Sequence, residues 1–160
     1  MIKIGKHNVG QESPPFIIAE MSGNHNQSLE RALEIVESVA ETGAQALKIQ
    51  TYTADTMTID ASHGEFVVNQ DLELWKDRTL YDLYLEAYTP WEWHEEIFSH
   101  ARSLGLIPFS TPFDETSVDF LEDLNVDCYK IASFENTDVR LIQTAAATGK
   151  PLIISTGMMD

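Results

Sequence analysis

From Phe16 onward one phrase recurs: an apolar run, a few polar residues, a segment with helical apolar spacing, a short glycine-containing turn, then the next apolar run. The runs are PFIIAE (15–20), ALKIQTY (46–52), LIPFSTPF (106–113), CYKIASFE (128–135) and KPLIISTGM (150–158). Strands that each return through a helix lie parallel, joined by right-handed crossovers. Runs apolar at nearly every position, such as FIIA and LIIS, fit a sheet buried on both faces. Two architectures satisfy this pattern, a doubly wound open sheet and a (β/α)8 barrel.

The segments between the runs carry helix signals. In SLERALEIVESVAETG, Leu29, Ala32, Leu33, Val36, Val39 and Ala40 fall at helical spacing, with Ser28 as N-cap and Gly43 as the stop. LYDLYLEAY and PWEWHEEIFSHARSLG read as helices, the second with Pro90 in its first turn. TSVDFLEDLN reads as a short helix opened by Thr116 with Asp119 three residues on, and VRLIQTAAATG as the last helix. Thr53 to Glu73 is polar and irregular, and reads as a lid-like loop.

The polar residues choose between the architectures. At the C-terminal ends of successive runs stand Glu20, then Lys48 and Gln50, then Ser110 and Thr111, then Lys130, Ser133 and Glu135, then Ser155 and Thr156. In a barrel that end carries the active site, assembled from several strands. An open sheet gathers its site at one switch point instead. EMSGNHN follows the first run where a dinucleotide fold would carry GxGxxG, and no Walker A motif is present. The expectation is therefore a TIM barrel, with residues 1–160 forming the N-terminal part of that single domain. A closed barrel needs eight such units and about 250 residues, so the chain is expected to be a piece of a longer protein.

A formal charge of −16 argues against nucleic-acid or anionic-membrane partners. The single cysteine, Cys128, has apolar flanks and reads as a buried small residue in a reducing compartment. No apolar run approaches a membrane span and MIKIGKHNVG has no signal-like core, so a cytoplasmic protein is expected.

Against that acidic background two of the six lysines sit inside strands. In CYKIASFENT, Cys128, Tyr129, Ile131, Ala132 and Phe134 read as buried strand around Lys130, and Lys48 has the same setting in ALKIQTY. An uncompensated buried ammonium is costly, so a stray pair is improbable. Together the two make a positive cup suited to phosphate or carboxylate, with Thr111, Ser133 and Ser155 adding neutral donors. An ion pair of Lys130 with Glu135 is the purely structural alternative. Glu20, ending an apolar strand, is expected to be buried with a raised pKa, as a proton-transfer group, or to be counter-ion to Lys48 or Lys130. Ser22-Gly23-Asn24-His25-Asn26 forms a polar loop. His94 and His100, six apart on one helix, diverge by about 240° and read as surface residues that share no metal. Trp91 and Trp93 read as packing, and no metal ligand is assigned in this chain.

AEMSGNHN, ALKIQTY, FSTPFD, YKIAS and STGM, in that order, resemble the sialic acid synthase family from Phe16 to Met158. MIKIGKHNV resembles the hairpin that plugs such a barrel. Met21-Ser22-Gly23, RTLYDLY and TPWEWH are most similar to the pseudaminic acid synthase branch, where sialic and legionaminic branches read closer to AEIGVNHNG. The resemblance implies condensation of phosphoenolpyruvate with an N-acetylated amino sugar, giving a nonulosonic acid and phosphate. N-acetylneuraminate or legionaminate is the alternative product. Lys48, Thr111, Lys130, Ser133 and Ser155 match phosphoenolpyruvate positions; Glu20 matches the acid near the metal-bound water and the sugar carbonyl; Gln50 and Glu135 match the sugar side. A divalent cation, manganese, is implied, with ligands on later strands outside this chain. A homodimer is implied as well, in which an antifreeze-like domain caps the partner's site. The sugar-contacting asparagine expected before RTLYDLY has no match in LELWKDR. The 160-residue piece is expected to be inactive alone and to self-associate through its strand edges. A Schiff-base aldolase using Lys130 and a non-catalytic anion-binding half-barrel stand as competing readings.

Overall fold

The computed structural model describes residues 1–68 and 78–157. The end of the Thr53–Glu73 loop, most of LELWKDR and the final Met158 lie outside the described residues.

Two short strands, β1 (Ile2–Ile4) and β2 (His7–Val9), form an antiparallel hairpin with Ile2 opposite Val9. Its turn residue Gly5 has φ +53, and a Cβ there would stand 2.6 Å from Ile107 Cδ1. A glycine is therefore needed for the hairpin to press against the start of the third barrel strand. Ile4 is buried beneath the sheet, in keeping with the expected plug.

The main sheet contains β3 (Ile18–Glu20), β4 (Ala46–Thr51), β5 (Ile107–Pro112), β6 (Tyr129–Ile131) and β7 (Leu152–Ile154), all parallel and in the spatial order of the sequence. A doubly wound sheet would reverse that order to place helices on both faces. Here the order never reverses, so the right-handed crossovers lay α1 (Leu29–Glu41), α4 (His94–Ser103), α5 (Glu115–Asp123) and α6 (Val139–Ala147) on one side. Helix α1 packs on α4 and α5 on α6. The five strands curl into a half-barrel of (β/α)8 type, as the sequence predicts.

Strand parity divides the core. Leu47, Ile49, Tyr129 and Ile131 face the helices and meet Val36, Ile97, Phe98, Val118, Leu121 and Leu141, all essentially inaccessible. The inner face begins with an apolar layer of Ile18, Ala46 and Ile107, which lie in register. One layer higher it carries Glu20, Lys48 and Phe109.

Two helix starts differ from the sequence reading: Pro90 precedes a 3₁₀ turn over Trp91–Trp93, so α4 begins only at His94, and α5 begins before Thr116. Helix α5 opens at Asp114 rather than Thr116: its carboxylate accepts from Ser117 N at 2.9 Å, and Ser117 Oγ accepts from Asp114 N at 3.2 Å. A carboxylate at the cap also favours the helix dipole, which draws the start earlier. The Thr53–Glu73 loop contains α2 (Ala54–Met57), opened by a Thr53–Thr56 capping box, and a 3₁₀ turn at Gly64–Phe66. Helix α3 (Leu80–Ala87) then begins at the Thr79 cap. Ser28 caps α1 through Arg31 N, and Gly43 ends it at φ +79.

Phe134 overturns its expected burial, being 75% exposed. The strand stops at Ile131, Glu135 N turns back to Ala132 O at 3.2 Å, and a 3₁₀ helix over Glu135–Thr137 replaces strand alternation.

Candidate active site

Lys48 and Gln50 stand two positions apart in β4, so both share its inner face. Pairing of Glu20 with Lys48 and of Gln50 with Thr111 sets the neighbouring groups beside them. Ser110 pairs with Tyr129 on the outer face, which leaves Thr111 beside Lys130 on the inner one. Lys48 Nζ forms an ion pair with Glu20 and donates to Thr111 Oγ1 at 3.3 Å. Lys130 Nζ donates to Ile131 O at 2.7 Å and Ser155 Oγ at 2.5 Å. Burial and the repulsion of Lys48 lower the Lys130 pKa, while Glu20 and Glu135 act in the opposite sense. The ion pair with Glu135 that was the structural alternative is thus not formed: the Lys130 ammonium holds a carbonyl and a hydroxyl, with Glu135 acting at a distance.

Glu20 departs from expectation. It lies on the edge strand β3 with a side chain 40% exposed, so the premise of burial fails and the counter-ion role to Lys48 remains. Ser22 ties it down, its N–H donating to Glu20 Oε1 at 3.2 Å and its hydroxyl to Gln50 Oε1 at 3.3 Å. Ser133 sits beside Gly157, whose added Cβ would be 3.2 Å from Ser133 Cβ, so the loops after β6 and β7 converge there. Glu135 is half-buried and its pKa is raised by burial, with Lys130 opposing. Lys48, Thr111, Lys130 and Ser155 therefore form the cup; Glu20, Gln50, Ser133 and Glu135 border it.

The sequence reading missed Asn136. It is buried, its Nδ2 donates to Ser155 O at 3.1 Å, and it thereby fixes the end of β7. Nothing in FENT marks it, because its burial follows from the 3₁₀ turn. Also missed was a scaffold behind the cup. His94, expected at the surface, is fully buried and bonded to Thr51 Oγ1 at 2.9 Å and Pro90 O at 3.1 Å. Thr51 Oγ1 lies 2.6 Å from Ser110 Oγ. The carbonyl of Pro90 can only accept, so His94 Nδ1 carries the proton and Nε2 accepts from Thr51, which in turn accepts from Ser110. Burial holds the His94 pKa at about 4, consistent with a neutral ring. His25, in the polar loop, is also buried, against Thr89 at 3.2 Å and edge-on to Trp93. His100 is partly exposed and meets Glu37. Trp91 stacks on Phe120 at 4.6 Å, as a packing residue should.

Cys128 is buried and its thiol is pushed up to about 12 by burial, then by Asp127, which removes it as a nucleophile. Among the described residues no three His, Cys, Asp or Glu side chains gather to hold a metal ion. With Glu20 engaged by Lys48, the described residues do not fit a divalent cation.

Residues 35–160 match the NeuB family. This chain belongs to it. The NeuB chain is 47% identical to the pseudaminic acid synthase of Helicobacter pylori over 91% of its length and 42% of that protein. It is 41% identical to the N,N'-diacetyllegionaminic acid synthase of Legionella pneumophila, over 94% of its length and 42% of that protein. The N-acetylneuraminic acid synthetase of Leptospira borgpetersenii superposes on it with a TM-score of 0.82 at 27% identity, covering 99% of this chain and 50% of that one. The chain thus spans less than half the length of these curated relatives. Among the described residues no helix is long and apolar enough to cross a membrane.

Proposed function

We propose that this NeuB chain supplies the anion-gripping part of an enzyme that condenses phosphoenolpyruvate with an N-acetylated amino sugar, the product being pseudaminic acid. The observation that carries the reading is the meeting of two strand-borne ammonium groups, Lys48 and Lys130, with Thr111 and Ser155 at one end of the half-barrel. Relatives named as pseudaminic acid synthases support the choice of sugar acid.

In this reading the lysines bind the phosphate and carboxylate of phosphoenolpyruvate and counter their charge, a role needing fixed donors in a sheltered site. Thr111, Ser133 and Ser155 orient the oxygens, while Gln50 and Glu135 border the sugar. A carbon–carbon bond forms between the enol carbon and the sugar aldehyde carbon. Water adds at the neighbouring carbon, and its C–O bond to phosphate breaks. Manganese belongs to this proposal for the whole protein, with ligands beyond the described residues, which do not fit it. The homodimer is likewise part of the proposal.

The test is phosphate release from phosphoenolpyruvate by protein from the uninterrupted gene, offered diacetamido-trideoxy-altrose or N-acetylmannosamine, with manganese present or chelated. Metal-dependent release with the altrose sugar is expected. Lys130→Met should weaken phosphoenolpyruvate binding by about ten- to a hundredfold in calorimetry, the worth of a charge-assisted contact. Release with neither sugar, or unchanged binding in the variant, would defeat the reading. Borohydride trapping of Lys130 with a keto substrate would support the aldolase instead.

A further inference from the structure

The polar loop SGNHN follows β3, and the anion cup makes no use of its histidine. Between β3 and α1 the backbone is forced. Ser22, Asn26 and Gln27 adopt φ of 50°, 48° and 56°, the left-handed region that a residue with a Cβ enters at a cost. Such a conformation persists only where the surroundings hold it. Gly23 comes so close to the end of α3 that a Cβ there would stand 3.0 Å from Ala87 O. Gln27 Nε2 donates to Glu86 O at 2.9 Å and Tyr88 O at 2.6 Å, tying the loop to the link between α3 and α4.

The deepest tie is His25, which is wholly buried. The Gln27 N–H can only donate and meets His25 Nδ1 at 3.2 Å, so the ring proton sits on Nε2 and is given to Thr89 Oγ1 at 3.2 Å. Thr89 is itself buried, and Trp93 meets the ring edge-on at 5.7 Å and 79°. Burial lowers the His25 pKa, in keeping with a neutral ring. One imidazole thus clamps the far end of the loop, at Gln27, to the α3–α4 link. At the near end Ser22 reaches the mouth, its N–H donating to Glu20 Oε1 at 3.2 Å and its hydroxyl to Gln50 Oε1 at 3.3 Å. With Oε1 so engaged, the Gln50 amide keeps its N–H donors for a ligand.

These contacts run from a buried ring to two groups at the border of the cup. We propose that His25 is a positioning residue, which sets Glu20 and Gln50 for the sugar by holding the Ser22–Gln27 loop in its strained form. The proposal rests on the synthase reading above. Lys48 with Thr111 and Lys130 with Ser155 are tied to one another rather than to the loop, so the grip on phosphoenolpyruvate is expected to outlast the loop's release.

The experiment measures phosphate release by the uninterrupted enzyme, with phosphoenolpyruvate and whichever of the two sugars above it accepts varied in turn. An asparagine amide oxygen can stand where Nδ1 stands, whereas a glutamine amide reaches only toward the place of Nε2. His25→Gln should therefore lower kcat/KM for the sugar about tenfold, while KM for phosphoenolpyruvate stays within about twofold. His25→Asn, which can still accept from the Gln27 N–H, should retain most of the parent value. Ser22→Gly permits the same φ but lacks the hydroxyl; it should lose as much as His25→Gln, and the double variant no more than either. If His25→Gln fails to fold, Thr89→Val compared with Thr89→Ser carries the same test at the other nitrogen of the ring. Parental sugar kinetics in the Gln or Val variant, no rescue by Asn or Ser, an equal rise in KM for phosphoenolpyruvate, or losses that multiply in the double variant would overturn the role. Absence of phosphate release by the unaltered enzyme would instead sink the synthase reading, and the role with it.

Discussion

Two ammonium groups lie close enough to repel each other in a protein of net charge −16. Each is tolerated because its protons are used, Lys48 on Glu20 and Thr111, Lys130 on a carbonyl and Ser155. His94 solves burial the other way, by staying neutral. Its folded pKa of about 4 lies below the ordinary 6.5, so between those values the unfolded chain takes up a proton that the folded one refuses. Stability due to this residue is therefore complete above pH 6.5 and falls toward pH 4 by roughly 3 kcal/mol. Burial lowers the His25 pKa too, which adds in the same direction. Urea unfolding at pH 7.5 and 4.5 checks this: the acid loss should be clearly smaller in His94→Gln than in the unaltered protein. Equal losses would mean that His94 does not titrate as described.

At the level of elements, the Ser110–Thr51–His94 chain joins β5, β4 and α4 behind the cup. Thr51 follows Gln50 and Ser110 precedes Thr111, so the same bonds that pin the two strands together orient their inner faces. Thr51→Val keeps the shape and deletes the hydroxyl, leaving His94 Nε2 and Ser110 without their partner. A loss of about 2 kcal/mol is expected in denaturant unfolding, with most of it recovered in Thr51→Ser. A valine variant as stable as the parent would show that the chain contributes nothing net. The periodicity of α1, α4 and α6 made these helices legible from spacing alone. Helix α2 was not, since a four-residue helix is too short to show a period and is defined by its threonine cap.

At the scale of the molecule, β3 and β7 are the outer strands of the main sheet. Their outward edges offer backbone donors and acceptors to another chain, and Ile17 and Ile154 are exposed beside them. The 160-residue chain is expected to self-associate with rising concentration in sedimentation velocity, and to release no phosphate from phosphoenolpyruvate with added manganese. A monomer at every concentration would count against edge pairing. Turnover would show that the described cup suffices for the chemistry.

Alternation of apolar runs with helical spacing is enough to predict parallel strands, and the polar strand ends point to a barrel. Lys48 and Lys130 were legible because an ammonium in a strand is rare and costly. The burial of His94 and Asn136 and the exposure of Phe134 and Glu20 were not legible. Each depends on what stands opposite in space: an α4 histidine meets two hydroxyls across the sheet, a 3₁₀ turn buries Asn136 and frees Phe134, and an edge strand leaves Glu20 open. Local spacing encodes which face a residue occupies within its own element. Burial and partnership are properties of pairs of elements, and only their packing sets them.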